Sequence, residues 1–130
     1  IYQGFYNLKK RQILKSHADG FAFTPKGRDW FLDLKFKNLR LSKKKQWDKK
    51  WRIVIFDIPE QSKLARHILR NKLKALGFMM IQKSVFVCPF SCAEEITFLA
   101  QYLKVGAYTD MFTATSVGSK EQELKEYYDL

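Results

Sequence analysis

The chain has 130 residues, 46% hydrophobic and 15% aromatic, enough for one ordinary domain or a small domain with an appendage, and too apolar for wholesale disorder. No apolar run approaches the ~20 residues of a membrane span and no signal-peptide pattern opens the sequence, so a cytoplasmic protein without a membrane partner is expected. The net charge of +11 is unevenly spread: residues 1–50 hold 14 Lys/Arg against 4 Asp/Glu, residues 51–130 hold 10 against 9. A basic segment joined to a nearly neutral one is the footprint of polyanion binding, and the aromatics interleaved with the charges favour nucleic acid over a merely solvated face.

The chain opens on Ile1 rather than Met, which leaves room for upstream residues. Residues 2–14 place Phe5, Leu8 and Gln12 on one helical face with Lys9, Lys10 and Arg11 on another. Asp19-Gly20 then signals a turn between two short extended runs, Ile13–Ser16 and Phe21–Thr24, giving a hairpin. Thr24 before Pro25 suits an N-cap and first helical position, predicting a helix from Pro25 to about Leu34. Residues 35–50 hold eight Lys/Arg, including Lys43, Lys44 and Lys45, without an amphipathic period, and read as a basic linker.

The second half is more regular. Arg52–Ile58 predicts a strand, and Ser62–Leu76 a helix with Leu64, Ile68, Leu69, Leu73 and Leu76 facing a sheet. Gly77 closes that helix. Phe78–Phe90 is β-rich, either two strands about a turn at Gln82–Ser84 or one long bent strand. A second helix, capped by Ser91 and reaching about Leu103, points Ala93, Ile96, Leu99, Ala100 and Leu103 inward. Tyr108–Thr115 predicts a last strand and Glu121–Tyr128 a short helix or tail. The order β-α-β-β-α-β is the ferredoxin-like motif. Its two helices would stack on one face of an antiparallel sheet, leaving a bare face for which a homodimer is the simplest cover. Cys88 and Cys92, spaced C-x-x-x-C with His17 and His67 far away, are a poor zinc signal and read as thiols in a reducing compartment.

Helix, hairpin and then helix with the phrase "FTPKGRDWF" resembles the second half of a winged helix-turn-helix, in which "LTxKGR" follows the wing. The resemblance implies that Lys15 and His17 of the hairpin contact phosphate, with Arg11, Lys26 and Arg28 as further DNA contacts. "WRIVIFDIPE" and "LARHILRNKLKALGFMMIQKSVFVCPF" resemble the central domain of the phenylacetate-degradation repressor (PaaX-like) regulators. They are similar, more distantly, to the small CRISPR adaptation proteins of the Cas-two type. The shared features are Asp57 ending the first strand, Leu76–Phe78 closing the helix and Gln82–Phe86 opening the next strand.

Three roles compete for Asp57: metal ligand, turn or capping device, and ion-pair partner. In the CRISPR-type proteins the matching acid lies at the dimer two-fold, where two copies can share Mg²⁺, and Lys83 or Arg52 would then supply positive charge to a phosphodiester transition state. An Asp before Ile-Pro is also a good turn residue in its own right, and the architectural role is preferred. Gln82, Lys83 and Ser84 sit at a bend where Lys83 could position a phosphate.

The expected protein is α+β: a partial winged helix-turn-helix segment (1–34), a basic linker (35–50), a ferredoxin-like βαββαβ domain (51–118) and a C-terminal helix or tail (119–130). Its expected work is transcriptional regulation as a DNA-binding homodimer, through Arg11, Lys15, His17, Lys26, Arg28, Lys43, Lys44, Lys45 and Lys83. It needs no cofactor or catalytic residue, and any small-molecule effector is unspecified. The alternative is a Mg²⁺-dependent nuclease or CRISPR-adaptation scaffold using Asp57, and a bare dimerisation module stands third.

Overall fold

The computed structural model describes residues 11–17, 20–42 and 46–130. No helix among them is long and apolar enough to cross a membrane. Of the expected helix over 2–14, residues 2–10, with Phe5 and Leu8, lie outside the described residues, and residues 11–14 are turn, bend and the start of a strand rather than helix; Asp19 and Lys43–Lys45 lie wholly outside. The backbone divides into two compact units, 1–39 and 40–130.

In the first unit, β1 (Leu14–His17) pairs antiparallel with β2 (Gly20–Phe23), Leu14 opposite Phe23 and His17 opposite Gly20. Helix α1 follows (Pro25–Lys37). Thr24 caps it as the sequence predicts: its backbone is extended and its hydroxyl accepts from the Gly27 amide at 2.9 Å. Pro25 fills the first helical position, where its missing N–H is no loss. Thr24 also ties the helix to the hairpin, because its amide donates to the Ile13 carbonyl at 2.9 Å and its hydroxyl faces the carbonyls of Gln12 and Ile13. The helix runs past Leu34 to Lys37, and Lys35 and Lys37 stand in its last turn, where the helix dipole favours cations. Phe23 packs on Phe31 with ring centroids 5.3 Å apart.

The second unit is β3 (Trp51–Phe56), α2 (Lys63–Ala75), β4 (Met79–Gln82), β5 (Val85–Cys88), α3 (Ala93–Tyr102), β6 (Thr109–Ala114) and α4 (Glu121–Tyr128). The Phe78–Phe90 stretch is thus two strands about a turn. Every pairing is antiparallel and the spatial order is β4-β5-β3-β6. The first strand of the unit lies inside, between its third and fourth, which is the ferredoxin-like arrangement. Alternation along β3 puts Val54 and Phe56 on the face that carries α2 and α3. There Phe56 stacks on Phe86 at 5.9 Å, and Leu69, Leu73, Ile96 and Leu99 are buried. Leu64 and Ala93 turn outward instead, Leu64 being 72% exposed. Leu64 begins the first helical turn, about 140° around the wheel from the Leu69 stripe at 100° per residue, so it points away from the sheet.

The opposite face is not bare. Helix α4 folds back across it and buries Leu124 against Trp51 and Val87. Trp51 Nε1 donates to both carboxylate oxygens of Glu121 at 3.1 Å, and the Tyr128 hydroxyl donates to the carbonyls of Val87 and Gly77. The cover is partial: Phe112, opposite Ile53 on the same face, remains 47% exposed. The sequence expectation of a face left wholly for a partner is therefore corrected, since a helix of the chain itself takes much of it.

Candidate nucleic-acid interface

The "PKGR" phrase has a steric basis. Gly27 lies in the first turn of α1 against the hairpin base, where an added Cβ would sit 1.8 Å from the Ile13 carbonyl oxygen. Only glycine permits that approach. The close contact sets exposed Lys26 and Arg28, on either side of Gly27, beside the chain segment that carries exposed Arg11 and Lys15. Four of the predicted contact residues thus gather around one helix–hairpin junction. His17 is at the hairpin end of β1, opposite Gly20, and its side chain lies outside the described residues. Such a cluster can neutralise phosphates. It contains no acid–base or nucleophile pair.

Asp57 is exposed, one residue past β3. Its amide donates to the Tyr108 carbonyl at 2.9 Å, which prolongs the β3–β6 pairing by one bond, and its carboxylate makes no ion pair among the described residues. Nearby Glu60 pairs with Arg66 at 3.3 Å, and Arg66 also donates to the Ile58 carbonyl at 3.3 Å, so the turn after β3 is pinned to α2. Groups of three or more His, Cys, Asp or Glu able to hold a metal do not occur among the described residues. One exposed carboxylate does not fit a Mg²⁺ site on its own.

Arg52 cannot assist Asp57. It lies at the other end of β3, about 17 Å away along an extended strand. There its guanidinium grips Asp48 at 2.6 and 2.8 Å and donates to the Pro89 carbonyl at 2.8 Å. That bidentate hydrogen bond holds the Asp48 carboxyl down at about 2 and raises Arg52 above its ordinary value. Arg52 is a buried structural clamp.

Burial pushes the Cys88 thiol up to about 11 and Cys92 to about 12. Cys92 Sγ sits 3.7 Å from Met111 Sδ, and Cys88 receives the Phe90 amide at 3.3 Å. Both are core thiols, kept protonated and away from metal chemistry.

Lys83 is exposed in the β4–β5 turn. Its carbonyl accepts from Arg70 Nε of α2 at 2.8 Å, and Arg70 in turn lies over the Phe56 ring at 5.9 Å. The structure thereby shows a feature that charge counting over the whole half conceals. Helix α2 carries Lys63, Arg66, Arg70, Lys72 and Lys74 and no acid, whereas α4 carries Glu121, Glu123 and Glu126 against Lys125. A window one helix long reveals the imbalance; a window of eighty residues averages it away.

Comparison with known proteins places this architecture. The family model for the PaaX protein central Cas2-like domain matches residues 44–125. The chain belongs to the PaaX family. The match runs from before β3 into α4, across the unit that holds Asp57, Lys83 and the basic α2. No curated protein matches the PaaX-family chain. A solved structure, uncharacterized protein Rv0674 from Mycobacterium tuberculosis, is similar at 17% identity and a TM-score of 0.46, over 99% of this chain and 52% of that one. The chain thus spans about half the length of that structure.

Proposed function

We propose that this PaaX-family chain works as a DNA-binding transcriptional regulator. The hairpin and α1 form a winged-helix-like part that touches DNA, and the Cas2-like unit brings two copies together. In this reading the part up to the end of α1 faces DNA, the basic stretch between Lys37 and Trp47 tethers it, 51–118 dimerise and 119–130 close the sheet. The observation that carries the reading is the junction at Gly27, where Arg11, Lys15, Lys26 and Arg28 are exposed around the Thr24 cap, in a chain whose second unit is of the PaaX family. His17 and Lys43–Lys45 would add phosphate contacts from the same half of the chain. The open remainder of the sheet's outer face, with Phe112 exposed opposite Ile53, offers apolar surface to a second copy. Asp57 serves as architecture, since its amide extends the strand pairing and no second acid stands with it.

The test is selection of a preferred duplex from a random pool, followed by binding isotherms for wild type, Lys26→Ala/Arg28→Ala and Asp57→Ala, with and without Mg²⁺. A sequence preference weakened by the double substitution and indifferent to Mg²⁺ and to Asp57→Ala is expected. Metal-dependent cutting abolished in Asp57→Ala would replace the regulator with a nuclease. Weak binding without preference that moderate salt abolishes would leave only a dimerisation module.

A further inference from the structure

The second unit is electrically polarised although its charges nearly cancel. Along α2, Lys63, His67, Arg70 and Lys74 recur at intervals of four, three and four residues, so they share one stripe of the helix. The buried stripe of Leu69 and Leu73 faces the sheet, and Lys63, His67 and Lys74 are exposed. Arg70 holds the β4–β5 turn by its bond to the Lys83 carbonyl, which brings exposed Lys83 to the flank of the same stripe. Of the acids on this side, Glu60 is taken by Arg66, Asp57 follows Phe56, whose amide donates to the Ser84 carbonyl at 3.1 Å, and Glu94 and Glu95 stand in the first turn of α3. Among the described residues Lys63, Lys74 and Lys83 make no ion pair. The Glu-rich α4 lies on the opposite sheet face, so the cationic surface of the unit is concentrated along α2.

The geometry points to the α2 stripe with Lys83 as a second phosphate-binding surface, on the Cas2-like unit itself and separate from the hairpin–α1 unit, which holds a duplex DNA backbone. It rests on the reading of the chain as a DNA-binding protein and deepens it. From Lys63 to Lys74 the stripe runs about 16 Å, the axial length of roughly five phosphates on one strand at about 3.4 Å each. Lysines on a rigid helix give positioning contacts without base readout, so this surface adds affinity and orientation while leaving sequence preference to the other unit. An anionic lipid surface suits it less, because Leu64 is the one large apolar side chain exposed on α2 and an interfacial helix needs a broad apolar face.

The experiment uses the full chain and a labelled duplex of about three helical turns, followed by fluorescence anisotropy across a salt series. Wild type is compared with Lys63→Ala/Lys74→Ala/Lys83→Ala, with the matching triple Lys→Arg variant and with Lys26→Ala/Arg28→Ala. Far-ultraviolet circular dichroism checks that each is folded. The alanine triple should lower the slope of log affinity against log salt by about 2.7, or about 0.9 per lost phosphate contact, and weaken binding about tenfold or more without changing the preferred sequence. The arginine triple should keep the wild-type slope. An unchanged slope in the alanine triple, alongside a loss in Lys26→Ala/Arg28→Ala, would overturn the second surface and leave the DNA-binding reading standing. Failure of wild type to bind any duplex at low salt would overturn both. Loss of binding to anionic vesicles but not to DNA would reassign the stripe to membranes and refute the proposal.

Discussion

Gly27→Ala gives the sharpest test of the hairpin–helix junction. In an exposed helix the change should stabilise by about 1 kcal/mol, because alanine is the better helix former. Here the added Cβ would lie 1.8 Å from the Ile13 carbonyl oxygen, a backbone atom that cannot rotate away. Restoring an ordinary van der Waals separation of about 3.4 Å requires the two segments to part by about 1.6 Å. That movement would stretch the Thr24 amide bond to Ile13, now 2.9 Å, and the hydroxyl contact at 3.1 Å, beyond useful range. Two lost hydrogen bonds cost about 1–3 kcal/mol and the forced expansion about 1–3 more, against about 1 regained, so a net loss of about 1–5 kcal/mol is expected. Amide hydrogen exchange reads this locally: protection at Thr24 should collapse in Gly27→Ala while Val54 and Phe86 in the second unit keep theirs. Duplex binding should fall with it, although no charge is removed. Undiminished Thr24 protection, or a gain of the size helix propensity alone supplies, would refute the close approach and with it the junction that gathers Arg11, Lys15, Lys26 and Arg28.

Leu124→Ala should destabilise the second unit by about 2–5 kcal/mol, since the side chain is buried against Trp51 and Val87; urea unfolding followed by tryptophan fluorescence measures it. Asp48 should titrate at about 2, held down by its hydrogen bonds from Arg52. A depressed carboxyl stabilises the fold above its unfolded value and loses that contribution as pH falls through its folded one, so wild type should lose its advantage over Asp48→Asn as pH drops from about 4 to about 2. An Asp48 carboxyl that titrates near 4 by NMR would contradict the clamp. Cys88 and Cys92 should react with a thiol reagent at pH 8 several orders of magnitude more slowly in the native protein than in denaturant, because both are buried and protonated. Fast native labelling would place them at the surface.

The ferredoxin-like order was legible because local signals agreed. Alternating and helical periods and the Gly77 stop each mark one element, while the two strands of Phe78–Phe90 were left open against one long bent strand. Thr24-Pro25 was equally readable, since the cap and the proline act within four residues of each other. The fold-back of α4 was not. Its apolar contribution is Leu124 and Tyr128 in a helix otherwise rich in charge, and its site, Trp51 and Val87, lies far away in the chain. Short-range pattern cannot pair such partners. Arg52 was misassigned for a related reason: in sequence it is five residues from Asp57, yet extended backbone converts five residues into the full length of a strand. The basic stripe of α2 was obscured by bookkeeping over too long a window rather than by any lack of signal.

The helix that closes the sheet also imposes an order on the chain's own synthesis. Trp51 belongs to an inner strand whose neighbours are β5 and β6, and although Trp47 packs on its indole, the cover is completed by Glu121, Leu124 and Tyr128 of α4. During translation the strand emerges some seventy residues before its lid, at a pace of about 5–20 residues per second, so for several seconds a large aromatic face waits incompletely covered. The growing polypeptide spends that interval with its sheet half-assembled and tethered to the ribosome. A nascent chain stalled before residue 121 should be the form most prone to capture by chaperones or to association with its neighbours on a polysome.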